Sequence, residues 1–415
     1  MDTKRIVVVG GGPAGMMAAV RAGQLKRDVT LIEKNPAMGR KLLLSGKGRC
    51  NLTNACGPDP FLKRFSKNGQ FLRDAFKNFS NTDLMDFFRK RGLKLRTERQ
   101  LRVFPVTDKA NSILEVLRKE LRRTRVRIIY GSRLKDILLR DKKVERLALA
   151  DGTEIPADRL ILATGGVSYG FTGSTGEGLD IARSLGHRIV RLRPGLVPLE
   201  TKQKHPEHLE GLTLKNIRLK FRDGQKRITS EIGEVLFTRF GISGPLVLSL
   251  SGRIVEWLDN KKDVYVEIDI KPALSEEKLE ARLLREFRSS PGKSIRNVLK
   301  NLLPVRMVEV FLDIGKMDHD KKAGQITRED RRTLALLLKR LRLDIKGPGP
   351  MEAAMVTRGG VSLKDINPRT MESRIIKGLY FAGEMIDIDA DTGGFNLQAA
   401  FSTGHLAGES AAMMI

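Results

Sequence analysis

The run Ile6-Val-Val-Val9-Gly10-Gly-Gly12-Pro-Ala-Gly15 decides the fold. Four consecutive β-branched residues predict a short strand covered on both faces, the habit of a parallel sheet packed between helices. The strand feeds directly into G-x-G-x-x-G, and the apolar spacing then turns helical over residues 16–26. Each glycine has a reason. Gly10 makes the tight turn, Gly12 lets a pyrophosphate approach the backbone, and Gly15 allows helix to pack on strand, with Pro13 and Ala14 completing the first helical turn. A second strand, Asp28-Val-Thr-Leu-Ile32, ends at Glu33, where a carboxylate accepts both hydroxyls of an adenosine ribose, and Lys34 follows it. Strand, glycine turn, helix and acid together predict a dinucleotide-binding βαβ unit of Rossmann type.

The fingerprint leaves NAD and FAD open, and three later stretches bear on the choice. The first, residues 39–54, is too glycine-rich for a helix interior and too basic for a core strand. Gly39, Gly46 and Gly48 allow close approach to a flat or anionic ligand; Arg40, Lys41, Lys47 and Arg49 supply cations, Ser45 a hydroxyl and Cys50 a thiol. The second, Asp158-Arg-Leu-Ile-Leu-Ala163-Thr164-Gly165-Gly166, reads as another buried strand with a glycine turn. The third is the C-terminal return Lys377-Gly-Leu-Tyr-Phe-Ala-Gly383-Glu384, followed by Gly393, Gly394, Phe395, Asn396 and Leu397 and a small-residue helix from about residue 396 to 413. A final strand ending in an acid, then a helix whose positive end faces the flavin N1/O2 edge, favours FAD. The expectation is that residues 39–54 lie along the flavin.

Composition narrows the partners. The chain has 415 residues, 76 Lys+Arg against 49 Asp+Glu, and a formal net charge of +27. Residues 63–146 alone carry 25 basic and 10 acidic side chains, and residues 271–346 carry 19 against 11. Such fields attract polyanions, so RNA is the leading partner class, with an anionic membrane surface, acidic proteins or solubility as the bland alternatives. The basic segments at 82–92 and 117–127 read singly as solvated helix faces and together as walls of an RNA groove. No apolar run reaches the ~18 residues of a membrane helix, and the charged start is followed at once by a strand, so a cytoplasmic protein without a signal peptide is expected. Two cysteines, Cys50 and Cys56, are too few for a disulfide framework and wrongly spaced for CxxC. His205-Pro-Glu-His208 has proline between its two histidines and no third ligand near, so no metal is expected. His405 is expected to pack, and His187 and His319 carry no signal.

The loop at 39–54, Gly173-Ser-Thr-Gly-Glu-Gly178, Gly241-Ile-Ser-Gly-Pro245, Thr370-Met-Glu-Ser373, Gly378-Leu-Tyr-Phe-Ala-Gly-Glu384 and Thr392-Gly-Gly-Phe-Asn-Leu-Gln398 occur in order along the whole chain. Together they resemble the YhiN-type family of bacterial FAD-dependent oxidoreductases, which includes aminoacetone-oxidase-like and bile-acid-pathway flavoproteins and ribosomal RNA dihydrouridine synthases. Two positions depart from the family pattern: Lys47 stands where glycine is frequent and Arg239 where histidine is frequent. The resemblance implies an α/β fold with a Rossmann-like FAD-binding domain of the GR-type three-layer kind, an inserted antiparallel β domain and a nested helical domain. Its boundaries would be 1–193 and 358–415 for the FAD-binding domain, 194–272 and 347–357 for the β domain, and 273–346 for the helical insert. Period-two alternation over residues 213–221 and 264–270, and helical spacing over residues 275–343, agree locally.

The resemblance also frames the chemistry. An oxidoreductase of this kind would use FAD as a flavoprotein, with NADH or NADPH as reductant, to modify ribosomal RNA before or early in ribosome assembly, reducing a uridine of 23S rRNA to dihydrouridine. Reducing a uracil ring needs a hydride donor, which reduced FAD provides at N5, and an acid. Cys50 is the expected acid, being the one cysteine within the loop, with Lys47 and Arg49 beside it; the competing reading is a packed thiol. Two other functions stay open at this point: a small-molecule oxidoreductase acting on an amine, enone or steroid, and a non-catalytic flavin-carrying RNA-binding or sensor protein.

Overall fold

The computed structural model describes residues 4–66, 68–260 and 263–413. The chain divides into two compact units, Met1–Gly195 with Met351–Ile415, and Leu196–Pro350.

The first unit is built on the opening run. The apolar residues form the strand Arg5–Val9, the glycine turn leads into the helix Pro13–Gln24, and the second strand is Asp28–Glu33. Five parallel strands lie in the order Leu379–Phe381, Arg159–Leu162, Arg5–Val9, Asp28–Glu33, Arg127–Tyr130. Val8, Leu31, Leu160 and Phe381 have no exposed surface, as strands covered on both faces require. The C-terminal helix Phe395–Met413 packs along Pro13–Gln24. Small residues permit this closeness: a Cβ on Gly404 would stand 2.2 Å from Ala14 O, and one on Gly408 2.3 Å from Ala18 O. Three small antiparallel sheets flank the core; one pairs Thr53–Asn54 and Leu95–Thr97 with Arg102–Pro105 and so anchors the end of the 39–54 loop. The basic stretch at 117–127 is two elements, because the helix Ala110–Arg123 ends there and the edge strand begins at Arg127.

The second unit is a closed antiparallel ring. Thr213–Arg222 pairs with Gly233–Thr238, and the ring continues through Gly241–Ser243, Leu199–Thr201, Leu341–Pro348 and Tyr265–Asp269 back to Thr213–Arg222. Alternation alone predicts a half-buried sheet; closure goes further by removing the sheet edges around the ring. Four helices follow, Glu276–Ser289, Ile295–Leu299, Val305–Ile314 and Arg328–Arg340. Ser275 caps the first by accepting from the Lys278 N–H, and Thr327 with Asp330 forms a capping box on the last.

The observed boundaries differ from the expected ones by a few residues. Leu341–Pro348 is strand, not helical insert, because Leu341, Leu343 and Ile345 alternate into the barrel core. Val356–Val361 pairs with Ile189–Gly195 inside the first unit, so Thr357 and Gly195 belong to that unit and not to the β domain.

Candidate cofactor site

The candidate cofactor residues all lie in the first unit. Gly10 has φ +109°, its N–H donates to Ile32 O at 2.8 Å, and a Cβ there would lie 2.4 Å from Ala163 O. A Cβ on Gly15 would lie 1.9 Å from Gly10 O. These two glycines are demanded by the protein itself. Gly12 is different: a Cβ there would meet nothing within 4 Å, and no side chain caps the helix it opens, with Pro13 in the first turn. The space at an uncapped helix N-terminus is what a pyrophosphate takes. The observed cradle therefore fits a dinucleotide such as FAD.

Glu33 is buried and preset. One carboxylate oxygen accepts from the Gly11 N–H at 2.7 Å, the other from Asn35 N–H and Nδ2 at 2.8 and 2.7 Å. A carboxylate has about four lone-pair sites, so one ribose hydroxyl can add to these three bonds without replacing any. Gly39, at φ +76°, donates to Gly11 O at 2.9 Å, which ties the two glycine turns together. Arg40 donates to Asn35 Oδ1 at 2.8 Å, and Lys34 Nζ reaches Thr175 Oγ1 at 2.7 Å.

Lys41 and Glu384 meet in a network that spacing does not reveal. Lys41 Nζ lies 2.6 Å from both Glu384 Oε2 and Ser168 Oγ; Glu384 Oε1 accepts from Ser168 Oγ at 2.8 Å and from the Thr357 N–H at 2.6 Å. Thr357 Oγ1 in turn accepts from the N–H groups of Val167 and Ser168 at 2.8 and 3.0 Å. Ser168 and Thr357 are missed by sequence reasoning; the one signal is that Ser168 closely follows the Gly165-Gly166 turn. Nearby, Ala163 continues the strand with its N–H on Val9 O, Gly165 has φ +80°, and Thr164 Oγ1 contacts Met385 Sδ at 3.1 Å.

The glycine-rich loop turns sharply. Gly46, Lys47, Gly48 and Cys50 all have positive φ, Ser45 Oγ donates to Leu42 O at 2.6 Å, and the Cys50 N–H closes the turn on Ser45 O at 2.9 Å. The three expected catalytic residues separate here. Cys50 is 0 % exposed and burial pushes its thiol up to about 12. The thiol is turned into the core, which favours the packed-thiol reading over the expected acid. Arg49 is locked, its guanidinium 4.1 Å over the Phe104 ring and paired with Glu98 at 3.0 Å and Asp108 at 3.4 Å. Arg96 holds the Glu98 and Asp108 carboxyls below their usual range, with Arg49 adding to it, so the cluster is ionised on both sides. Lys47 is exposed.

At the other end, a Cβ on Gly394 would lie 2.5 Å from Thr53 C and O, and Asn54 Nδ2 bridges Gly393 O and Gln100 O at 3.2 and 3.0 Å. The start of the C-terminal helix is thus pinned to the end of the 39–54 loop. Phe395 turns inward against Phe61, with ring centroids 4.9 Å apart, and Asn396 is occupied by both backbone groups of Ala390, at 2.9 Å each. These two side chains brace the turn, while Leu397 packs partly buried against the core. His405 stacks on Phe79 at 4.3 Å, bonds Asn78 Oδ1, and is pushed down to about 4 by burial. It is a packing residue. Among the described residues no group of three or more His, Cys, Asp or Glu is placed to hold a metal, and no helix is long and apolar enough to cross a membrane.

The family model for the HI0933-like protein Rossmann domain matches residues 4–410. The chain belongs to this family. Proteins similar to it include the 3-dehydro-bile acid delta(4,6)-reductase of Clostridium scindens, 33% identical over 98% of this chain and 99% of that one. The ribosomal RNA dihydrouridine synthase of Escherichia coli is 32% identical over 97% of this chain and 96% of that one. Among solved structures, 3-ketosteroid delta1-dehydrogenase from Sterolibacterium denitrificans shares the fold at a TM-score of 0.53 with 13% identity, covering 99% of this chain and 100% of that chain. The protein is a member of a flavin-dependent oxidoreductase family with a Rossmann-like FAD-binding α/β domain.

Proposed function

We propose that this protein is an FAD-dependent reductase, fuelled by NADH or NADPH, that reduces a uridine of 23S ribosomal RNA to dihydrouridine in the cytoplasm. The observation that carries the reading is the net charge of +27 on a chain alignable over 97% of its length with a ribosomal RNA dihydrouridine synthase. A small neutral substrate has no use for such a field, whereas RNA binding draws its affinity from neutralised phosphates.

FAD, when bound, supplies the hydride. The chain's own residues hold it. Gly10, Gly12, Pro13, Ala14 and Gly15 receive the pyrophosphate at the helix N-terminus, and Glu33 takes the ribose. Lys41 and Glu384, fixed by Ser168 and Thr357, line the middle of the groove, and Gly393-Gly394 sets the positive end of the last helix at its far side. Reduction of the ring also needs a proton at the second carbon. Lys47 is assigned that role in place of Cys50, because it is exposed on the same loop while Arg49 is locked by two carboxylates.

Mass spectrometry of 23S rRNA from wild-type and deletion strains tests the reading: one uridine should be lighter by two hydrogens in the deletion. An unchanged rRNA ends it. A second reading, reduction of a conjugated small-molecule enone, is favoured by the 33% identity to the bile-acid reductase and predicts turnover of a 3-oxo-4,6-diene steroid with no RNA affinity.

A further inference from the structure

Two helices of the first unit end in the same costly way. Pro13–Gln24 is followed by Lys26 at φ +58°, and Ala110–Arg123 by Arg125 at φ +57°. This position, just past a helix C-cap, is one where glycine is favoured, because a Cβ in the left-handed region crowds the following carbonyl oxygen. In both turns a long cation stands there instead. The turns are neighbours: a Cβ on Gly23 would stand 2.9 Å from Thr124 Cβ. Cations at a helix C-terminus complement its dipole. That explains a basic last turn, but not why the strained residue itself is a cation.

Lys26 and Arg125 are exposed, as are Lys119 and Arg122 on the open face of the second helix and Arg127 at the start of the edge strand. Neighbouring Arg118 and Arg123 pair with Glu115 and Glu120, whereas none of these five forms an ion pair among the described residues. All five sit toward the N-terminal ends of the parallel strands, since Lys26 precedes Asp28–Glu33 and Arg125 precedes Arg127–Tyr130. The same end carries Lys4, whose amine is held below its usual range by burial and then by the positive Arg159 and Arg27. Gly10, Glu33 and Glu384 lie at the opposite, C-terminal ends, one strand length or about 16 Å away.

We infer that this end of the sheet is a phosphate-anchoring site for RNA, distinct from the cofactor site, with Lys26 and Arg125 at its centre and Lys119, Arg122 and Arg127 around them. The inference rests on the RNA reading given above. Unneutralised cations held close together repel one another, and a polyanion removes that repulsion by releasing its own counterions. Contacts of this kind position a substrate without reading its sequence, and binding energy gained far from the reacting ring is available to orient it.

The test replaces both strained cations by the residue that the backbone prefers, Lys26→Gly with Arg125→Gly, in the flavin-loaded full chain. Binding of protein-free 23S rRNA is measured from 50 to 200 mM KCl, with melting temperature and the rate of flavin reduction by NAD(P)H alongside. The expected result is a Kd raised about tenfold and a log Kd against log salt slope lowered by about 1.4–1.8, two phosphates at 0.7–0.9 each, with a melting temperature no lower than wild type and flavin reduction unchanged. Lys119→Gln with Arg122→Gln should lower the slope again. RNA affinity and slope equal to wild type in both variants overturn the anchor while leaving the substrate reading standing. Absence of RNA binding by the wild-type protein overturns the substrate reading and the anchor together.

Discussion

Lys41 Nζ and Glu384 Oε2, 343 residues apart in sequence, lie 2.6 Å apart. The side chains are 23% and 21% exposed, and Ser168 and the Thr357 backbone complete the carboxylate's bonds. The pair joins the basic loop to the C-terminal return strand, beside the glycine turns proposed to hold the cofactor.

Replacing Lys41 by Met leaves the Glu384 carboxylate with two donors in a mostly buried place. We expect a loss of about 1–3 kcal/mol of stability, below the cost of breaking a fully buried pair because water still reaches both groups. Purified Lys41→Met should retain less flavin by visible absorbance and regain it only at raised FAD concentration. Full retention with an unchanged melting temperature would remove the pair from the cofactor site.

Gly12→Ala and Gly15→Ala should fail differently. The first adds a methyl to open space, so the fold should keep its stability within about 0.5 kcal/mol while FAD affinity drops at least tenfold. The second drives a methyl into Gly10 O and should cost about 1–3 kcal/mol by overpacking. Thermal melts and FAD titration of both variants check this, and a Gly12→Ala protein that binds FAD normally would place the pyrophosphate elsewhere.

Cys50→Ala should keep dihydrouridine formation, at a stability cost of about 1 kcal/mol for the emptied space, whereas Lys47→Ala should slow turnover by about 10²-fold. In the native protein Cys56 should react with iodoacetamide and Cys50 should not, because only Cys50 is fully buried. Loss of product in Cys50→Ala with flavin reduction intact would restore the thiol to the reaction.

His405 gives a pH signature. Its folded value is pushed down to about 4, below the unfolded value near 6.5, so the unfolded chain binds the extra proton first and stability falls as pH drops from 6.5 through 4. The full loss is about 3 kcal/mol at most. Melting temperature against pH should be flatter over that window in His405→Phe than in wild type; identical slopes would mean that the imidazole titrates normally.

Much of this was legible locally. The β-branched run, the spacing of Gly10, Gly12 and Gly15, and Glu33 at the end of the next strand specify the βαβ unit because each acts within a few residues: a strand, a turn, a helix start and an acid at a fixed distance. The same holds for the Ser275 cap and for the small residues of the last helix, whose glycines announce close packing without naming the partner. Tertiary structure alone decided that this partner is Pro13–Gln24, that the antiparallel strands close into a ring, and that Ser168 and Thr357 serve Glu384. It also separated the residues grouped together in the 39–54 loop. Cys50 and Arg49 sit side by side in sequence, but the left-handed backbone at Cys50 turns the thiol into the core, and Phe104, Glu98 and Asp108, brought up by a separate strand hairpin, capture the guanidinium. Periodicity records which face of an element is apolar; it carries no record of which distant residue arrives against it, and burial and pairing at this site depend on that arrival.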